Sequence, residues 1–391
     1  MSTSVERNPI PLRISLVSET WFPQINGVSR TLDKLVAHCC SQGDDLQLIV
    51  PRYGADSFNH AGVQGTALSG FSLPCYPEVV LPLASPGRLR RELRRFGPQL
   101  VHIATEGTLG LAALRAARQL GLPVVSSYHT NFPSYLEGYR LGCFEPLAWR
   151  YLRWFHNRTR LTLCPSPSTK ALLEKRGFHR LALWSRGVDS QHFHPRNRDA
   201  GLRRSLGFLP QETVVVYLGR LAAEKNLEML FDAFSRLPPE SACRLLVIGD
   251  GPLGDRLRDR ADRCCVFVGY RRGLELAQML ALGDLLVFPS LTDTFGNVML
   301  EGMASGLPAI GFRVPGPQDV IDEGRTGRVV DSVDADSLAR AIHELAADPN
   351  RLASMGRQAR AFAETQIWSR IMEEVREQYR RHIAVAKASG A

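Results

Sequence analysis

The chain alternates short β-branched apolar runs with longer stretches in which apolar residues recur every three or four positions. Arg13–Ser18, Leu46–Pro51, Leu100–Ala104, Pro123–Ser127, Leu161–Cys164 and Leu181–Trp184 read as strands, with amphipathic helices such as Val28–Ser41 and Thr108–Leu120 between them. The rhythm restarts at Thr213–Leu218 and runs through Arg244–Ile248, Val266–Val268, Leu285–Phe288 and Ala309–Gly311 to Gly327–Val330. Strands that are apolar along their whole length and joined by helices belong to parallel sheets covered on both faces. The pattern predicts an α/β protein of two doubly wound, Rossmann-like units facing a central cleft, with ligands at the carboxyl ends of the strands. The polar stretch HFHPRNRDAGLRRSLGFLP between the halves reads as a linker. Beyond Val330 the chain reads as helical to its end, with a last long helix opening at Ile367 and Trp368 and a polar tail, AVAKASGA, expected to fray. The predicted divisions are residues 1–194, 195–366 and 367–391.

Composition narrows the picture. A length of 391 residues suits two domains, and 44% hydrophobic against 22% charged residues excludes a chain that is mainly disordered. No run reaches the ~20 apolar residues of a membrane-spanning helix, and the N-terminal MSTSVERNPIPLRISLV reads as too short in its apolar part for a signal peptide. The 8 cysteines form no CxxC pair and no Cys/His ladder, which points to free thiols in a reducing cytoplasm rather than zinc or disulfides. The formal charge of +9 is uneven: residues 1–190 carry 22 Lys/Arg against 13 Asp/Glu, and the remainder is balanced. A surface of the first half should therefore meet something anionic.

Chemistry-bearing residues cluster at expected strand ends. In FPSLTDTFGNVMLEGMASGLPAIG a strand gives way to Ser290, Thr292, Asp293 and Thr294, small polar residues suited to starting a helix near Phe295–Asn297. Amides around Phe295, Gly296 and Asn297 would point out of that first turn and attract an anion such as a phosphate. Glu301 follows Asp293 by eight residues, about two helical turns, so both carboxylates can face one cleft and accept bonds from sugar hydroxyls. The same residues also suit an ordinary capped helix. In YLGRLAAEKN, Arg220 and Lys225 leave a strand end with Glu224 beside the lysine; two cations there can clamp a diphosphate without a metal, or simply be solvated. In the first half Asn26 and Gly27 mark a tight turn into a helix, and Tyr128, His129 and Thr130 close a buried strand. A histidine so placed can donate to a substrate oxygen, although a lone histidine is more often structural.

Taken in this order, ETWFPQINGV, SYHTNF, SRGVD, GRLAAEKN, VIGDGP, FVGY and TDTFGNVMLEGMASGLP resemble the retaining GT-B glycosyltransferases of family 4. That group includes bacterial lipid α-glycosyl- and mannosyltransferases and sulfoquinovosyl-diacylglycerol synthases. The resemblance spans residues 19–308. It implies a GT-B fold with an acceptor-binding first domain, a nucleotide-sugar-binding second domain, and a C-terminal helix crossing back to the first. Arg220 and Lys225 match the pair that holds the donor diphosphate. Asp293 and Glu301 match the paired acids, the first contacting the donor sugar and the second the nucleotide ribose. Phe295, Gly296 and Asn297 match the loop whose amides touch sugar and phosphate, His129 a histidine beside the transferred sugar, and Asn26-Gly27 the glycine loop below the diphosphate. Gly269, within Val268–Tyr270, falls where backbone reads the donor base. The first acid here is aspartate where the family pattern has glutamate, one methylene shorter, which puts donor choice in doubt.

The resemblance implies transfer of mannose, glucose or glucuronate from a nucleotide diphosphate-sugar to a lipid such as diacylglycerol, or to a glycan, with retention, no cofactor and no metal. Front-face displacement is the expected mechanism, since no nucleophile stands out. Competing features are weaker. GDGPLG at 249–254 spells a dinucleotide fingerprint, but Pro252 removes a donor and no acid ends a strand about 20 residues later, so an oxidoreductase is the lesser alternative. Asp334 and Asp336 suit helix capping better than metal binding, and His192 with His194 lack acidic or thiol partners. No aromatic-basic module supports nucleic-acid binding. PGRLRRELRRFG sets Leu89, Leu93 and Phe96 on one stripe among Arg88, Arg90, Arg91, Arg94 and Arg95, and YLRWFHNRTR mixes aromatics with Arg153, Arg158 and Arg160. Either the stripe lies on an anionic membrane, worth about 1 kcal/mol per basic side chain, or it packs inward with its arginines solvated. With the uneven charge, this suggests a peripheral enzyme on the inner face of the cell membrane.

Overall fold

The computed structural model describes residues 10–24, 26–52, 62–73, 76–129, 145–238, 240–261, 264–293 and 295–388. In the first lobe, β1 (Arg13–Val17), β2 (Asp45–Pro51), β3 (Val63–Leu68), β6 (Leu100–Ile103), β7 (Val124–Ser127), β8 (Leu161–Cys164) and β9 (Leu181–Leu183) form one parallel sheet. Its order is β3-β2-β1-β6-β7-β8-β9, and β4 (Gly70–Leu73) with β5 (Tyr76–Pro82) makes a separate antiparallel pair. The second lobe is a parallel sheet of β10 (Thr213–Leu218), β11 (Cys243–Ile248), β12 (Cys265–Gly269), β13 (Leu285–Phe288), β14 (Ala309–Phe312) and β15 (Gly327–Val330). Its order is β12-β11-β10-β13-β14-β15. Strand order therefore reverses between β1 and β6 and again between β10 and β13. At such reversals the flanking helices diverge and a crevice opens at the carboxyl ends of the strands.

The central strands are buried along their length because helices cover both faces: Val214, Val215, Val216, Leu245, Leu246, Val247 and Ile248 are all fully buried. β3, β4 and β5 went unread because VQGTAL and GFSL carry glycine and YPEVVLP carries internal proline, which blurs a strand pattern. The polar stretch expected as a linker is built into the second lobe. Phe193 and Phe208 lie in its core, and buried Arg203 donates to the Leu282 carbonyl at 2.5 Å and to Asp284 at 3.1 Å. The arginine-rich helix Pro86–Phe96 turns its stripe inward: Leu89, Leu93 and Phe96 are buried in the first lobe, so the stripe is unavailable to a lipid surface and only the arginine face is left outside.

The chain crosses between lobes twice, side by side. The Val188 amide donates to the Gln366 carbonyl at 3.0 Å, and a Cβ on Gly187 would lie 2.7 Å from the Trp368 ring. After this crossing the helix Trp368–Ala388, regular through the part expected to fray as far as Ala388, packs Ile371, Met372, Val375, Tyr379 and Ile383 against Ile14, Leu16, Leu35 and Val36 of the first lobe. Arg376 and Asp44, both wholly buried, lock it with two bonds of 2.5 and 2.7 Å, while Asp44 also accepts from the Leu12 amide at 2.8 Å. Asp44→Ala would strand a buried guanidinium, and a destabilisation of about 3–5 kcal/mol is expected. Thermal unfolding checks this; an unchanged midpoint would show that the pair does not anchor the helix.

Candidate active site

The second lobe builds its half of the site from the carboxyl ends of β10 and β13. Arg220 leaves β10 exposed, and its carbonyl accepts from the buried Tyr217 hydroxyl at 2.9 Å. The GDGPLG turn braces this segment. Leu221 donates to the Asp250 carbonyl and Leu253 to that of Leu221, each at 2.9 Å, and a Cβ on Gly249 would lie 1.9 Å from the Gly219 carbonyl oxygen. Gly249 and Gly251 are thus glycine so that the backbone carrying Arg220 can pack on them. The glycines that spell a dinucleotide fingerprint are thus used for packing within the lobe, which argues against the oxidoreductase alternative. Gly269 ends β12 at the same end of the sheet, its carbonyl engaged by the Gly249 amide at 2.9 Å.

Lys225 sits in the single turn Ala223–Lys225, followed by Asn226 in the left-handed region (φ 54°), whose amide group reaches the Pro289 carbonyl at 3.2 Å. This tie brings Lys225 to the loop after β13, where its Nζ donates to both oxygens of Asp293, at 2.8 and 2.7 Å. The two residues expected to serve diphosphate and sugar separately are therefore each other's counter-ions. Ser290 and Thr292 direct their hydroxyls to the Glu224 carbonyl, both at 3.4 Å, while Thr294 lies outside the described residues. Gly296 begins the helix Asn297–Ala304 at φ 82°, and a Cβ there would come within 2.8 Å of the Phe288 ring. Phe295 is buried in the core below, so its side chain fastens the loop and only its backbone is available to a ligand.

The first lobe faces this helix. A Cβ on Gly27 would lie 3.5 Å from the side-chain Nδ2 of Asn297, which puts the two expected anion loops opposite each other. Asn26 starts the helix through its side chain, at the tight turn expected there. Its Oδ1 caps the helix Gly27–Ser41 through the Val28 and Ser29 amides at 3.0 and 2.9 Å, and its Nδ2 donates to Thr20 at 2.7 Å. From the same helix Arg30 reaches across the cleft to Glu301 Oε1 at 3.4 Å. Glu301 Oε2 is buried and has no hydrogen-bond partner among the described residues. Burial raises the Glu301 carboxyl to about 7, with Arg30 pulling it the other way. A second bridge joins the lobes: Asp319 accepts from the Ser168 amide at 3.0 Å and from its hydroxyl. Between the bridges, Tyr128, Thr169 and Leu172 share a small cavity with Thr292 and Asp293.

His129 follows β7 and is buried, its Nδ1 2.9 Å from a guanidinium nitrogen of Arg186. Its basicity is pushed well below the usual histidine range by burial first, then by Arg186, His102 and His156. Thr130 lies outside the described residues. Among the decoys, Asp334 caps the helix Ala335–Ala346 through the Ser337 amide at 2.7 Å, and His194 accepts from the Arg196 amide at 3.0 Å. No group of three metal-ligating side chains occurs among the described residues.

Four residues escaped the sequence reading. Arg186 lies within the quoted SRGVD and Arg30 one turn after Gly27, two residues beyond ETWFPQINGV, and neither carries a signal of its partner. Glu19 and Glu106 lie two and three residues after the ends of β1 and β6, a position that could have marked them. Glu19 accepts from the Leu109 amide at 2.6 Å, which caps the helix Thr108–Gln119 from outside it. Both carboxyls are pushed upward, chiefly by burial.

The sequence family described as Glycosyltransferase Family 4 matches residues 25–192, and that described as Glycosyl transferases group 1 matches residues 212–348. The chain is 31% identical to a GDP-mannose-dependent alpha-mannosyltransferase of Corynebacterium glutamicum, over 96% of this chain and 91% of that protein. The chain belongs to glycosyltransferase family 4. A second relative of this family 4 glycosyltransferase is the sulfoquinovosyl transferase SQD2 of Arabidopsis thaliana, 33% identical over 94% of this chain and 74% of that protein. Its fold is that of solved GT-B enzymes. Anabaena HepE in complex with UDP superposes with a TM-score of 0.76 at 18% identity, covering 94% of this chain and 99% of that one. Sucrose-phosphate synthase of Thermosynechococcus elongatus does so with 0.76 at 20%, covering 95% and 99%.

Proposed function

We propose that this glycosyltransferase moves a hexosyl group, mannose, glucose or glucuronate, from a nucleoside diphosphate-sugar to the hydroxyl of a membrane lipid such as diacylglycerol. Transfer proceeds with retention and without a metal ion. The observation that carries this is the Lys225–Asp293 pair at the β10/β13 reversal, just before the helix whose Asn297 faces Gly27 across the cleft, with Arg220 leaving the adjacent strand end. A diphosphate entering there displaces Asp293 from the lysine, and the freed carboxylate turns to the sugar hydroxyls. Arg220, Lys225 and the helix start at Gly296 then stabilise charge growing on the leaving diphosphate, the term that dominates such reactions. In the front-face displacement we favour, the C–O bond to the phosphate breaks as the acceptor oxygen attacks from the same side, and the departing phosphate oxygen takes the acceptor's proton. Glu301 receives the ribose hydroxyls.

The lipid acceptor is supported by the company the chain keeps. An alpha-monoglucosyldiacylglycerol synthase of Streptococcus pneumoniae is 26% identical over 81% of this chain and 74% of that protein. Purified enzyme incubated with GDP- and UDP-sugars, a lipid extract and a soluble glucan, followed by product identification, tests the proposal. Glycolipid formed in the presence of a chelator supports it; product on glucan alone, or loss of turnover with the chelator, overturns the acceptor or the metal-free step.

No described helix is long and apolar enough to cross a membrane, and the arginine face of Pro86–Phe96 supports peripheral docking on the anionic inner leaflet. Neutralising Arg88, Arg90, Arg91, Arg94 and Arg95 together is expected to abolish most sedimentation with anionic liposomes, at about 1 kcal/mol per side chain. Undiminished sedimentation would assign docking to another surface.

A further inference from the structure

Arg186 is buried, and among the described residues it has no carboxylate partner. One of its terminal nitrogens donates to the carbonyls of Trp184 at 2.6 Å and Ser185 at 3.2 Å, and the guanidinium lies over the Trp184 ring at 5.3 Å. The other terminal nitrogen meets His129 Nδ1 at 2.9 Å. A guanidinium has donors only, so Nδ1 must accept, and a ring that accepts there while neutral carries its one hydrogen on Nε2. Burial draws the Arg186 guanidinium down to about 9, still cationic at neutral pH.

We propose that Arg186 is a positioning residue for His129, fixing the imidazole in its neutral tautomer with the proton on Nε2 as a permanent hydrogen-bond donor. This rests on the assignment of His129 to the sugar-transfer site and adds what makes the histidine usable there. A charged imidazolium beside a buried guanidinium is repelled, and the opposite tautomer would set two donors against each other. Among the described residues, the other ionisable groups facing the ring, His102 and His156, are themselves held neutral by burial and add no carboxylate that could restore the charged form. Trp184, whose ring lies 5.1 Å from that of His129, closes one side and limits rotation. No proton leaves the ring: Nε2–H donates a hydrogen bond to a substrate oxygen and keeps its hydrogen. Arg186 also stands two residues before the crossing at Val188, so the ring is referenced to the point about which the lobes would turn.

The test is nitrogen-15 NMR of histidine-labelled protein without substrate, with His129 assigned by its absence in His129→Gln. In the wild type the ring should stay neutral and Nε2-protonated from pH 6 to 8. In Arg186→Met it should titrate with a midpoint moved toward the ordinary value of about 6.5 and populate both tautomers. Transfer should then fall about tenfold in kcat, more at pH 8 than at pH 6, because the neutral ring populates the Nδ1 tautomer and loses the Nε2–H hydrogen bond used in the transition state, whereas the charged ring keeps that donor. Arg186→Lys, which keeps a donor and a charge, should restore the tautomer and most of the turnover. A wild-type ring protonated on Nδ1, or charged at pH 7, overturns the proposal whatever the variants do. So does an unaltered His129 spectrum in folded Arg186→Met. Absence of any sugar transfer by the wild type would instead strike at the assigned function and leave the tautomer result standing.

Discussion

Lys225→Ala should lower kcat by about two to three orders of magnitude, the loss typical when a fixed group stabilising transition-state charge is removed. Two effects combine. The leaving diphosphate loses a cation, and Asp293, whose oxygens lie 2.8 and 2.7 Å from the lysine, becomes an uncompensated carboxylate inside the anion site. Donor binding should weaken along with turnover, because the bare Asp293 repels the diphosphate. The double variant Lys225→Ala/Asp293→Asn separates the effects: calorimetry should show affinity for the nucleoside diphosphate recovering in part, while kcat stays low. Lone mutations in one ion pair are not additive, and the sign of this coupling is the informative quantity. Near-normal turnover in Lys225→Ala would remove the lysine from the site. Unaltered affinity on adding Asp293→Asn would show that the pair does not gate the donor.

Glu301→Gln is expected to make the unliganded protein more stable and the enzyme worse. With its carboxyl raised from 4.5 to about 7, the folded protein holds a proton that the unfolded chain has released, so stability falls as pH rises through that window. The full penalty, roughly 3 kcal/mol from a shift of that size, is present above about pH 7 and absent below about pH 4. Glutamine carries no such charge, so the two proteins should unfold at similar temperatures at pH 4.5 and diverge by pH 8, with the variant higher. Nucleotide binding should show the reverse. Ribose hydroxyls donating to the buried Oε2 favour the ionised acid, so wild-type affinity should rise from pH 6 to pH 8, while the variant stays weak and pH-independent. Parallel melting curves across pH would mean that Glu301 ionises normally. Equal nucleotide affinity in the two proteins would detach it from the ribose.

These expectations pair residues far apart in the chain. Lys225 and Asp293 were legible as chemistry because each follows an apolar strand, where a doubly wound sheet presents its ligands. That they contact one another was not legible, since it depends on β10 and β13 being neighbours in a sheet whose sequence order differs from its spatial order. Arg30 and Glu301, 271 residues apart and on different lobes, meet only because the lobes close on one another. The same limit explains the misread linker: Arg203 looks like a solvent residue until Asp284 and the Leu282 carbonyl are brought to it.

The sequence by itself determined the two parallel sheets, because apolar period and strand length are local properties, and it determined the strand ends at which the polar residues gather. It left the stripe of Pro86–Phe96 open between a membrane surface and the core, and the packing of the first lobe turned it inward, where its three apolar side chains gain from burial. Only the tertiary structure decided which charges neutralise one another, which glycines are needed for close packing, and which nitrogen of His129 keeps its proton. Those outcomes depend on separations of a few ångströms between segments joined by the fold, and both Coulombic and hydrogen-bond energies change steeply over such distances.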